Sequence, residues 1–337
     1  MKLAATSGPN GRPSVELLLA LEQAGYHSYW SAEDWGADAV SQLAWPGSHT
    51  STLVLGTSIM QLPGRSPALT AMTAATLANL SGGRFILGLG PSGPQVSEGW
   101  HGVAYAQPLA RLREYVGVVR QALDRTDALR AGGQHYQIPY FGPGASGLGK
   151  ALRMNQEVRH NVPIFVSAMG PKALELAGEI ADGAIATLVD PDQMSVTRSA
   201  IDVGRGRSGR TSNDFTLVVH AVCVVDDDVA ACFERLRPGF ARTLGGYGAA
   251  SRNFYVDQVT RLGWGSVAAR VQELYLAGRR AEAAAAIPDE LIDAVQLVGP
   301  AQRIRDRARR YADAAVDVLM LGTNDLRVLR AVADIGG

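Results

Sequence analysis

Three short stretches carry residue types whose chemistry goes beyond packing. Glu33-Asp34-Trp35 sets two carboxylates beside an indole. A carboxylate at the end of a buried strand can serve as a general acid or base if its surroundings tune it; it can equally cap a helix or sit in water. Gly88-Leu-Gly90-Pro-Ser-Gly93 has G-x-G-x-x-G spacing directly after an apolar run. That spacing is a dinucleotide fingerprint only when a helix opens at once behind it, and Pro91, Pro94 and Gly99 speak against such a helix. The same loop, PSGPQVSEG, offers free backbone N–H groups and small residues, so it can cradle a phosphate or another anion, or be a plain turn. Trp100-His101 follows, an aromatic platform beside a titratable ring that could line a substrate pocket.

These stretches lie in an alternation of short apolar runs and longer amphipathic ones. Strands are expected at 3–6, 29–32, 53–60, 84–90, 164–168, 183–187, 217–225 and 316–321. Helices are expected at 15–24, 68–80, 109–123, 171–180, 193–204 and 325–333. Pro13 lies near the first turn of the first helix and Gly25 stops it, while Ser66 and Pro67 open the second and Gly82-Gly83 close it. Eight strand–helix units with strands apolar on both faces predict an α/β fold, a TIM (β/α)8 barrel with loop insertions. Residues 132–161 read as loop. Residues 226–298, Ala- and Arg-rich, read as a helical insertion within a single barrel domain spanning 1–337.

Composition excludes several classes. Lys+Arg and Asp+Glu are both 32, so the formal net charge is zero and no basic run marks a nucleic-acid binder. No apolar run reaches the roughly 20 residues a membrane helix needs, and the first nine residues lack a signal-peptide core, so cytoplasm is the expected compartment. Cys223 and Cys232 form no CxxC pair and read as reduced core residues. His49, His135, His160 and His220 show no metal spacing, and no metal is expected.

Four segments together resemble the luciferase-like flavin and deazaflavin oxidoreductases, and more narrowly the branch that uses coenzyme F-420, an 8-hydroxy-5-deazaflavin. They are GYHSYWSAEDWGAD (25–38), the long stretch 53–102 from LVLGTSIMQLPGRSP to SEGWHG, PLARLREYV (108–116) and VPIFVSAMGPKALELAGEIADGAI (162–185). The chain past 225 resembles that family only loosely. The resemblance implies a bacterial-luciferase-like TIM barrel, a cytoplasmic homodimer, a small-molecule substrate and hydride transfer at carbon 5 of the deazaflavin. By position, Ser58–Ile59 matches a non-prolyl cis peptide behind the cofactor ring, with Gln61 nearby. Ser92, Gly93 and Gln95 match the loop that holds the ribityl chain and phosphate, and Ala168, Met169, Gly170, Pro171 and Lys172 match a second phosphate loop. Physical chemistry agrees at the second loop: Gly170 permits close backbone approach, the helix from Pro171 directs its N-terminal dipole at an anion, and Lys172 adds a charge. Asp34 falls among the ring contacts, Trp35 and Trp100 on the substrate side, and Glu33 and His101 are the candidate proton-handling groups. Sugar-phosphate dehydrogenases of the group carry Asp-His where this chain has Glu33-Asp34-Trp35, which weakens a sugar-phosphate reading. The expected function is hydride transfer between F-420 and a small organic C=C, C=N or C=O compound. An FMN-dependent luciferase-like monooxygenase and a cofactor-less barrel relative with a binding role stand as alternatives.

Overall fold

The computed structural model describes residues 1–8, 11, 13–209, 215–249 and 251–336. Eight parallel strands close into a barrel: β1 (Lys2–Thr6), β2 (Ser28–Ser31), β3 (Val54–Thr57), β4 (Phe85–Gly90), β5 (Ile164–Ser167), β6 (Gly183–Thr187), β7 (Thr216–Val225) and β8 (Val318–Gly322). Each pairs with the next, and β8 returns to β1 to complete the ring. Successive side chains alternate faces. Tyr29, Leu55, Leu87, Val166, Leu217 and Leu319 point outward into the helix-covered core, while Ala4, Trp30, Phe165, Ile185, Val218 and Met320 fill the barrel. Trp30 and Phe165 stack there with ring centroids 5.9 Å apart. Position 56 must be glycine beside them, because a Cβ would lie 2.3 Å from the Trp30 ring.

The helices are α1 (Val15–Gln23), α2 (Ala39–Gly47), α3 (Pro67–Leu80), α4 (Pro94–Gly99), α5 (Pro108–Asp124), α6 (Pro171–Ile180) and α7 (Met194–Arg207). Beyond β7 come α8 (Val229–Gly246), α9 (Phe254–Val259), α10 (Gly265–Leu276), α11 (Arg280–Ala285), α12 (Asp289–Val295), α13 (Ala301–Asp313) and α14 (Leu326–Ala331). Ser14 and Ser66 cap α1 and α3 by accepting from Leu17 N and Leu69 N. Helices α8 to α12 bury a core of their own, with Phe240, Leu244, Val271, Leu274, Leu291 and Ile292 at its centre. Cys223 and Cys232 are both buried free thiols.

Four local expectations need correction. The run 53–60 is not one strand: β3 stops at Thr57, the Ser58–Ile59 peptide is cis, and Met60–Gln61 resumes pairing on β4. A helix does form behind Gly93; α4 starts at Pro94, a position where the missing N–H costs nothing. It follows a barrel strand, so the dinucleotide reading still fails on topology. Helix α2, capped by Asp38, was not anticipated. The insertion 226–298 is not wholly helical, since Leu297–Gly299 pairs in parallel with Cys223–Val225 of β7.

Candidate active site

Continuing the inward alternation to the C-terminal strand ends gives the wall of a pocket. Thr6 follows Ala4, Ser167 follows Phe165, Thr187 follows Ile185, His220 follows Val218 and Gly322 follows Met320. The lower layer, with Trp30, Val218 and Met320, is buried, whereas Ser167, Thr187, His220 and Gly322 keep partial exposure. The barrel is thus apolar and filled below, polar and accessible above. This is the end at which barrel enzymes carry their chemistry. A cavity of about 850 Å³ at the opposite end, lined by Lys2, His27, Asp182 and Asp317 among others, lies away from these groups.

On β3, Ser58 and Ile59 form the inner bulge, and Ser58 N donates to Ser31 O at 2.7 Å. The glycines of β4 exist because of it. A Cβ on Gly88 would lie 1.7 Å from the Thr57 carbonyl oxygen, and one on Gly90 would lie 2.8 Å from Ile59 Cδ1 and 2.5 Å from Ser167 Oγ. The G-x-G spacing therefore serves the fit of two strands at the bulge.

The end of β2 is tied down more tightly than its sequence suggested. Arg65 donates to both oxygens of Glu33, Nη1 to Oε2 at 2.7 Å and Nη2 to Oε1 at 2.8 Å, and Arg65 also pairs with Asp38. Gln61 N and Ala39 N donate to the same carboxylate. Burial depresses the Arg65 guanidinium pKa, but the hydrogen bond and charge of Glu33 overcome it and the net shift is upward. Both Glu33 oxygens are thus engaged by donors from Arg65, Gln61 and Ala39. Gln61 is buried, with Nε2 donating to the Glu33 and Asp34 carbonyls at 2.9 Å and Oε1 facing His101 Nε2 at 3.1 Å. These bonds tie Gln61 to the loop behind β2 and to His101. Because Gln61 Nε2 is spent on the two carbonyls, its Oε1 accepts from His101 Nε2.

Asp34 is different. Its Oδ1 is buried and has no hydrogen-bond partner among the described residues, and an orphaned carboxylate oxygen of this kind calls for a donor from elsewhere. Trp35 is half-exposed and leans on Tyr247 at 5.6 Å. Trp100 is exposed, and His101 rests against Gly64.

Two loops frame the outer rim. Ser92 has φ of 62°, and Gly93 precedes α4 without a side-chain cap. Gln95 is exposed, and a Cβ on Gly93 would lie 3.8 Å from the Tyr247 carbonyl. Across the mouth, Ala168 is buried and bonded through its N–H to Ile185 O, Met169 and Gly170 are half-buried, and Pro171 and Lys172 are exposed. Gly170 precedes α6, again with no side-chain cap. The neighbour there is Arg261, whose Nη2 lies 3.5 Å from where a Gly170 Cβ would be. Arg261 is steered by Gln258, which accepts from its Nε and Nη2 at 3.2 and 2.8 Å.

The structure thus gathers Asp34, Ser58, Ile59, Ser92, Gly93, Gln95 and residues 168–172 around one mouth. Sequence reasoning missed Arg261, Tyr247 and His220. Arg261 gave no signal, lying in a stretch that from sequence reads only as a helical insertion. His220 did give one: it is the polar residue in LVVHAVCVV, in step with the inward Val218. Its Nδ1 is 3.4 Å from Thr187 Oγ1, and enclosure by the barrel pulls the imidazole down to about 4.

Residues 2–318 match the family model of the luciferase-like monooxygenases. A Mycobacterium tuberculosis protein assigned as a coenzyme F-420-dependent oxidoreductase is 41% identical over 322 residues, covering 95% of this chain and 93% of its own. The F-420-dependent tetrahydromethanopterin reductase of Methanopyrus kandleri superposes with a TM-score of 0.81 at 21% identity, over 98% of this chain and 97% of that one. An F-420-dependent secondary alcohol dehydrogenase, solved with an F-420–acetone adduct, superposes with a TM-score of 0.79 at 18% identity, over 100% and 99%.

Proposed function

The chain belongs to the luciferase-like monooxygenase family, and from that membership we propose that it is an F-420-dependent oxidoreductase passing a hydride between the deazaflavin and a small organic substrate with a C=C, C=N or C=O bond. The observation that carries this is the 41% identity, over 95% of the chain, to a protein assigned to F-420 chemistry. The pocket fits the group. Asp34 Oδ1 lacks a donor that a ring N–H would supply, and the uncapped start of α6 beside Arg261 suits an anionic tail.

When bound, the deazaflavin supplies two-electron hydride chemistry at its carbon 5. In this reading Ser58 and Ile59 back its ring, and Asp34 fixes the ring edge. Ser92, Gly93, Gln95 and the 168–172 loop, with Lys172 at its rim, hold the ribityl phosphate. Trp35, Trp100 and His101 border the side where substrate enters, and Nδ1 of His101 is available as a proton acceptor. Glu33 acts through Arg65 and Gln61, keeping this edge of the mouth in shape. We read the protein as a cytoplasmic homodimer; Leu69, Met72 and Leu80 give α3 an exposed apolar side for a second copy, and no described helix is long and apolar enough to cross a membrane.

Fluorescence titration tests the assignment. The protein should quench F-420 with micromolar or tighter affinity and leave FMN unbound. Preference for FMN would return the reading to a flavin monooxygenase, and indifference to both would leave a barrel without its cofactor.

A further inference from the structure

At the end of the barrel opposite the mouth, the strand starts surround the cavity of about 850 Å³, a size that holds small ligands in other proteins. Its floor is apolar: Trp30, Ile86, Phe165 and Val318 line it, and the stacked Trp30 and Phe165 lie between it and the mouth. Its edge is charged. Asp182 and Asp317 both line the cavity and both are engaged. Asp182 Oδ2 accepts from Arg120 Nη2 at 2.9 Å and from Ile164 N at 2.8 Å. Asp317 Oδ2 accepts from Leu217 N at 2.7 Å and from Arg198 Nη2 at 3.4 Å. Lys2 is placed differently. Its ammonium reaches His27 Nε2 at 3.2 Å and enters no ion pair among the described residues. An ammonium can only donate, so Nε2 accepts and the neutral imidazole carries its proton on Nδ1. Burial, with the Lys2 charge beside it, pulls that ring down to about 4 and keeps it neutral. Its Nδ1 is buried and has no hydrogen-bond partner among the described residues. The cavity edge thus holds an unpaired cation beside a buried N–H that lacks an acceptor, above an apolar floor.

We propose that this cavity is a second small-molecule site, separate from the catalytic mouth, and that it takes an organic monocarboxylate with an apolar body. One carboxylate oxygen meets the Lys2 ammonium, the other accepts from Nδ1–H of His27, and the body lies toward Trp30, Ile86 and Val318. The charges around the cavity select this class. Arg120 offsets Asp182 and Arg198 offsets Asp317, so Lys2 is the cation left over. A dianion would also face the two aspartates across the same cavity and be repelled. An amine would meet Lys2 with the same sign of charge and find both aspartates already bonded. A neutral apolar molecule would seal Nδ1–H away from water without giving it an acceptor, and a buried donor left in that state is costly. None of these residues belongs to the F-420 reading, so the two proposals stand or fall separately.

The test is calorimetric titration of the full chain with 2-naphthoate, carried out with and without F-420. Wild type should bind one molecule per chain, with the same affinity in both states, because the site lies away from the cofactor. The neutral analogue 2-naphthalenemethanol and the dianion 2,6-naphthalenedicarboxylate should each bind about 10-fold more weakly or worse. Lys2→Met should weaken 2-naphthoate by about the same factor, Lys2→Arg should restore most of the affinity, and neither should change F-420 binding. In 15N-histidine protein, the His27 ring signals, identified by their loss in His27→Gln, should shift on addition of 2-naphthoate to wild type. Absence of 2-naphthoate binding, equal affinity for the acid and the alcohol, undiminished binding by Lys2→Met, unmoved His27 nitrogens, or competition between 2-naphthoate and F-420 would each overturn the proposal. A chain that failed to bind F-420 would leave this site to be judged by the same titration, and the failure would count against the function alone.

Discussion

At the scale of single residues, the decisive fact about Glu33 is how many donors it already serves. Both oxygens are engaged by Arg65, with Gln61 N and Ala39 N in addition, and its side chain is only 11% exposed. Removing one member of a buried, hydrogen-bonded pair leaves the other charge desolvated and unpaired. Glu33→Gln should therefore cost about 3 kcal/mol of stability, read as a lower urea midpoint with an unchanged slope. A proton carrier would behave the other way, losing turnover while unfolding at the wild-type midpoint. This pairing was not legible beforehand: Arg65 is 32 residues away and nothing in GRSP marks it as a partner. His220 was legible in part, because an inward-facing polar residue within an apolar strand is detectable by parity. The conspicuous neighbours Glu33, Asp34 and Trp35 sort by environment, one tied down, one orphaned and one half-exposed, and environment is not written in a local string.

At the scale of elements, the alternation of strands and helices was readable because every barrel strand is apolar on both faces and most helices begin on a serine, a proline or an acid. The exceptions have physical causes. The run LVLGTSIM stays apolar through the bulge, so periodicity shows no break where β3 ends at Thr57. Helix α2 has Pro46 and Gly47 inside its last turn and reads like a loop. The glycines of β4 matched a phosphate fingerprint, yet Gly88 answers to the carbonyl of Thr57. Gly88→Ala measures that demand. With a Cβ 1.7 Å from backbone oxygen, no rotamer change relieves the clash and β3 and β4 must part. The loss should reach or exceed the roughly 3 kcal/mol upper range of ordinary overpacking, seen as a large fall in melting temperature. Gly99→Ala, where nothing lies within 4 Å, should leave it nearly unchanged. Equal melting temperatures for the two variants would mean that β4 does not need glycine to pass the bulge.

At the scale of the whole molecule, the barrel supplies a pocket and the insertion supplies its edge. Helices α8 to α12 have their own core, yet two of their products reach the barrel's mouth: Tyr247, against Trp35 and beside Gly93, and Arg261, at the start of α6. Arg261 lies in the kinked segment between α9 and α10, where Gly263 has φ of 95°, and Gln258 both orients the guanidinium and bonds the Leu188 carbonyl just beyond β6. Burial lowers its pKa, with Asp257 acting against that, but a guanidinium stays charged in a protein. In the proposed reading, a cation brought from the insertion to an uncapped helix start would meet the phosphate that the helix dipole already favours. Charge-assisted hydrogen bonds contribute about 1.5–3 kcal/mol, so Arg261→Ala should weaken F-420 binding about 10- to 100-fold. The same variant should bind the phosphate-free deazariboflavin chromophore as wild type does, because the proposed ring contacts at Ser58, Ile59 and Asp34 would be untouched. A parallel loss for both ligands would show instead that Arg261 only braces the insertion, and the phosphate would then have to be held by the two loops alone.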